Sequence, residues 1–175
     1  MTRLLLVALL ALAATTAHAQ TTSIDVGALD TYFQEEAKVE VNLKGSLLRL
    51  LVEASREDEP EFAEMISGLT AVTVRVYPLA SAGNDLIPEL GRLGDTLEDA
   101  GWSTLLRVRG DDEDPGDVWI YVLDDGEVFN GLTVMATDPE EDDAAFVVID
   151  GQIDPAQIGR LSSRFGGVDL NEVGQ

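Results

Sequence analysis

The sequence predicts an α+β domain: a two-layer sandwich in which a largely antiparallel sheet of about six strands carries helices on one face. Three observations predict it. Segments such as Lys38 to Lys44 and Thr70 to Leu79 alternate with period two, as half-buried strands do. Leucines at 86, 90, 93 and 97 recur at helical spacing. The last four predicted strands lie only a few residues apart, too close for parallel crossovers, so they form an antiparallel meander. Helices leading and closing such a sheet cover one of its faces.

Each element has its own local signal. Residues 27–36, "GALDTYFQEE", suit a short first helix with Leu29 and Phe33 on one face. "KVEVNLK" (38–44) sets Val39, Val41 and Leu43 on one side of a strand and Glu40 and Asn42 on the other. Ser46 is placed to cap a helix through "LLRLLVEAS", with Leu47, Leu50, Leu51 and Ala54 as its inner stripe. Pro60 opens a second helix that packs Phe62, Met65 and Ile66 and ends at Gly68. "TAVTVRVYPL" (70–79) is a strand with Val72, Val74 and Val76 inward. Asp85 to Ala100 is a helix that tolerates Pro88 in its first turn and stops at Gly101. Strands follow at 102–109, 118–124, 127–137 and 144–151, with Asp125-Gly126 as a hairpin signal. Asp154 and Pro155, a cap and a first-turn proline, open a last helix with Ile158, Leu161 and Phe165 inward. No repeat or linker interrupts the order.

The N-terminus reads as a secretory signal peptide. Arg3 is the positive residue, Leu4 to Ala14 the apolar run, and Ala17-His18-Ala19 the small-residue site, so cleavage falls between Ala19 and Gln20. The run is shorter than the roughly 20 residues of a bilayer span. Residues 1–19 are thus the expected signal, and 20–175 a single domain exported to the periplasm rather than fully secreted. Removal of the signal takes His18 with it, the one histidine of the sequence, and no cysteine is present. The mature chain therefore lacks the groups for Cys/His zinc sites, His- or Cys-ligated haem, and Ser-His-Asp or Cys-His catalysis. It keeps 10 basic residues against 33 acidic ones, a net charge of −23, which disfavours nucleic acid and anionic membrane surfaces.

Acid gathers in "REDEPE" (56–61), "DDEDPGD" (111–117), "DDGE" (124–127) and "DPEEDD" (138–143), each between apolar segments and so read as a solvated turn. Carboxylate pairs hydrolyse glycosides or peptides when one pKa is raised, but no motif marks such a pair here. No nucleophile elbow, Ser-x-x-Lys or phosphate loop occurs, and no cofactor is implied. Calcium is the better chemical candidate, at Asp111, Asp112, Glu113, Asp114 and Asp117. The EF-hand pattern nevertheless fails, with Pro115 at the fifth ligand position.

The stretches "FVVIDGQIDPAQIGRL", "VEVNLKGSLLRLL" and "GLTAVTVRVY" resemble a family of exported bacterial proteins, domain of unknown function 4252. The likeness covers about residues 28–166 and rests on strand ends, caps and helix stripes. It implies an exported domain and carries over no reaction or catalytic residue. Some members are lipoproteins; this chain differs in having no cysteine at the cleavage site.

What remains is a set of side chains on the strands. Alternation puts Arg75 and Tyr77 opposite the valines of their strand, Arg107 on one face of the next, and Trp119 with Tyr121 on a strand apolar on both sides. On an open sheet face these five would form an interface, since arginine with aromatics is enriched at interface centres. The plainer alternative is that the arginines pair with cross-strand acids while the aromatics pack under long loops. The expectation is a non-catalytic domain that binds an envelope protein, or itself, through this face. The alternatives are an ion-binding or salt-adapted protein and, more remotely, a carboxylate hydrolase.

Overall fold

A computed structural model describes residues 24–111 and 115–154 of the 175-residue chain. The expected signal peptide, the middle of the 111–117 loop and the expected last helix lie outside the described residues.

Six strands form one antiparallel sheet: β1 (Val39–Lys44), β2 (Leu69–Pro78), β3 (Ser103–Val108), β4 (Asp117–Asp124), β5 (Phe129–Asp138) and β6 (Asp143–Ile153). Their spatial order is β1-β2-β6-β5-β4-β3. The last four strands make the expected meander, and β1 and β2 join it through the β2–β6 pairing. Among the described residues, three α-helices accompany the sheet: α1 (Ser46–Ser55), α2 (Pro60–Ser67) and α3 (Leu86–Asp99).

The expected first helix is a 3-10 helix over Val26–Tyr32, capped by the Asp25 carboxylate, which accepts the Gly27 N–H at 3.0 Å. It still buries Leu29, and Phe33 follows it into the core. In α3 the leucine stripe packs inward as its spacing predicts. Gly101, at φ +90°, then ends the helix with a left-handed turn open to glycine. The Gly101 N–H donates to Glu98 O and the Trp102 N–H to Leu97 O, and Trp102 and Leu97 are both buried.

Two local expectations are corrected. Gly45 (φ +52°), not Ser46, occupies the cap of α1; Ser46 is its first helical residue. The inner stripe of α1 also differs, since Leu48 is buried while Leu47 and Leu50 are exposed and α1 pairs with α2. Apolar residues at 47, 48, 50, 51 and 52 surround most of this helix, so periodicity alone selects no face.

The larger correction concerns the sheet. One face bears Arg75, Tyr77, Phe146, Val148, Met135, Thr133, Trp119 and Tyr121, and this face is sealed. Val26, Leu29 and Phe33 from the 3-10 segment and Leu86, Leu90 and Leu97 of α3 close over it. Phe33 stacks on Tyr77 at 4.1 Å between centroids, and Phe146 meets both rings edge-on. Gly94 of α3 lies where a Cβ would overlap the Tyr121 hydroxyl, so glycine lets helix and sheet approach this closely. Among the described residues, the valine face, expected to be inward, is the open one.

Candidate functional site

The register sets the open face out in three rows across all six strands. The first is Val39, Val76, Ala145, Ala136, Val118 and Val108. The second is Val41, Val74, Val147, Val134, Ile120 and Leu106. The third is Leu43, Val72, Ile149, Leu132, Val122 and Ser103. Ser103 alone is polar, and among the others only Val122 is buried. A core layer with a second layer over it holds its residues far more tightly. Sequence reasoning found these alternations but assigned them to the wrong side. The signal that separates the sides is size, because Tyr77, Phe146, Trp119 and Tyr121 all project from one face and have the most area to hide.

The five contact candidates separate accordingly. Tyr77, Trp119 and Tyr121 are core side chains, with relative exposures of 1%, 4% and 1%. They pack under helices rather than under loops. Arg75 follows the plainer reading. Its Nη2 donates to Glu40 Oε1 at 2.8 Å across the β1–β2 pair, and its Nη1 to Asp30 Oδ1 at 3.4 Å. The Tyr77 hydroxyl donates to the same Asp30 oxygen. This chain of contacts lines a cleft of about 460 Å³ walled by Glu35, Glu36 and Glu40. Arg75 is thus paired within the fold with Glu40 and Asp30, and the Asp30 contacts pin the 3-10 segment to the sheet.

Arg107 alone of the five stays fully at the surface. It lies on β3, directly across from Trp119. β3 closes one side of the sheet and is exposed at every residue, with Leu105 at 55%, Leu106 at 37% and Val108 at 43%. An irregularity in register between Thr104 and Leu106 interrupts its ladder with β4.

The acidic runs build turns. Asp138 accepts the Glu140 and Glu141 N–H groups, and Asp142 that of Ala80, while Asp143 accepts from Lys38 Nζ at 2.7 Å. Asp125 accepts from the Val128 and Glu127 N–H groups and from Asn130, bonds that hold its carboxyl below the usual range. Of the calcium candidates, Asp117 accepts the Gly110 N–H at 2.9 Å, and Asp112, Glu113 and Asp114 lie outside the described residues. Among the described residues, no group of three or more His, Cys, Asp or Glu is placed to hold a metal ion. Nor is any helix there long and apolar enough to cross a membrane. Burial raises the Asp150 carboxyl, with Lys44 opposing.

The three tyrosines give a pH signature of the sealed face. Burial first, then the bond to Asp30, pushes the Tyr77 hydroxyl up to about 12. Burial raises Tyr121 also, and a hydrogen bond to Glu89 raises Tyr32. Each raised pKa favours the neutral phenol in the fold. The stabilisation is whole below the unfolded value near pH 10 and disappears as pH climbs through the folded values. Tyrosinate absorbance of the folded chain should therefore rise only above pH 10, and Tyr77→Phe should remove the latest step.

The family described as Domain of unknown function (DUF4252) matches residues 32–161 of the chain. No curated protein and no solved structure matches.

Proposed function

Since the chain belongs to the DUF4252 family, a domain of unknown function, we propose its role from its own surfaces: a non-catalytic, exported domain that binds a protein partner in the cell envelope. The docking element is β3, which receives an extended segment of the partner as a further strand. The observation that carries this reading is the exposure of β3 along all six residues at a side of the sheet where, among the described residues, no further strand pairs. Backbone groups of such a strand supply register and affinity, and alternate side chains supply selectivity. Leu106 and Val108 offer apolar contacts on one face, and Arg107 offers a cation on the other. The partner segment thus alternates apolar residues with a carboxylate opposite Arg107.

The absence of cysteine and of histidine beyond His18, and the use of the acids in turns, support a binding role over a catalytic one. The test is in-cell crosslinking of the tagged chain, read by mass spectrometry, beside the variant Arg107→Glu. One dominant envelope protein should be captured and then lost in the variant, with the melting temperature unchanged because Arg107 is at the surface. Equal capture by both chains would refute β3 as the docking element.

A further inference from the structure

We propose that the open valine face is the interface of a homodimer, in which two sheets pack face to face with their strands antiparallel. This uses the face of the sheet rather than the backbone edge of β3, and shares only the side chains of Leu106 and Val108 with the docking element.

The face is the right size for this partner. Six strands about 4.8 Å apart, each showing a five-residue stretch at about 3.3 Å per residue, give a footprint of about 470 Å². Two copies together bury about 950 Å², near the lower limit of specific interfaces, which suits a dimer of micromolar affinity. The face carries no charge in any of its three rows. A chain of net charge −22 can therefore meet a copy of itself there without opposing charges inside the contact.

Shape and charge select the same symmetry. The first row is shallow at its centre, at Ala136 and Ala145, and the third is tall there, at Leu132 and Ile149. A two-fold axis running across the strands lays the first row of one copy on the third row of the other, so that alanines meet Leu132 and Ile149. An axis along the strands would instead set alanine on alanine and leave a void, at the cost that unfilled space carries. Asp117 and the acidic 138–143 turn both lie at the first-row end of the sheet. The axis across the strands sets these acids of one copy against the smaller group of Asp124, Asp125 and Glu127 at the third-row end of the other, whereas the other axis stacks like group on like. With the favoured axis, Val134 and Val147 of the second row face their own counterparts.

Sedimentation of the chain beginning at Gln20 tests this across the micromolar range, at low and at molar salt. The expected result is a monomer–dimer equilibrium that tightens with salt as the net charge is screened. Val134→Asp and Val147→Asp should each weaken it by about 100-fold, because each brings two carboxylates together in an apolar contact. Val134→Cys, in a chain with no other cysteine, should be joined into dimers by a short bis-maleimide, whereas Glu64→Cys on exposed α2 should not. A monomer at every concentration and salt would overturn the proposal. So would a dimer indifferent to both aspartates, or equal crosslinking of the two cysteine variants.

Discussion

Trp119→Ala is expected to destabilise the domain by about 3–5 kcal/mol, the range for truncating a buried tryptophan. Trp119 is 4% exposed and lies between Arg107 and Met135 on neighbouring strands, beneath the helical layer. Its indole Nε1 has no hydrogen-bond partner among the described residues, so the loss is one of packing and area rather than of a polar contact. Urea denaturation measures it directly, as a fall in midpoint at constant slope. The contrast with Arg107 is the informative part. These two residues face each other across β3 and β4, yet one change should remove stability and the other only partner capture. A Trp119→Ala chain as stable as the parent would mean that the aromatic side is not the sealed one.

The sequence made much of this fold legible. Period-two alternation located β1 and β2, and the short spacings of the later strands required the meander that β3 to β6 form. The leucine stripe of α3 names its buried side, and Leu29 and Phe33, which the sequence sets on one face, are both buried although their helix is 3-10 rather than α. Local patterns of this kind are decided within a few residues. The choice of covered face was not, because β4 is apolar on both sides and the valines of β2 are as regular as any inward set. Only the 3-10 segment and α3, arriving from elsewhere in the chain, settle it. Arg75 shows the same division, since Glu40 is its cross-strand neighbour but Asp30 reaches it from a separate element. The leucines around α1 give a third case, where composition hides direction until α2 packs against it.

Two adjacent residues of β5 bring the account to its sharpest point. Met135 points into the sealed face at 1% exposure, and Val134 points to the open one. A carboxylate at 135 would be placed among Trp119, Phe146 and the helical layer with no charge to pair with, a burial that fixed apolar surroundings cannot accommodate. A carboxylate at 134 would stand at the surface of a single chain and retain water. Met135→Asp should therefore cost more than about 4 kcal/mol and leave the chain largely unfolded. Val134→Asp should cost less than about 1 kcal/mol in the same assay.

The deciding measurement is thermal unfolding of these two variants beside the parent, at concentrations low enough that each chain is a monomer. The account predicts a cooperative transition close to that of the parent for Val134→Asp and none for Met135→Asp. Equal losses in both variants, or the reverse order, would contradict a sheet with one sealed face and one open face.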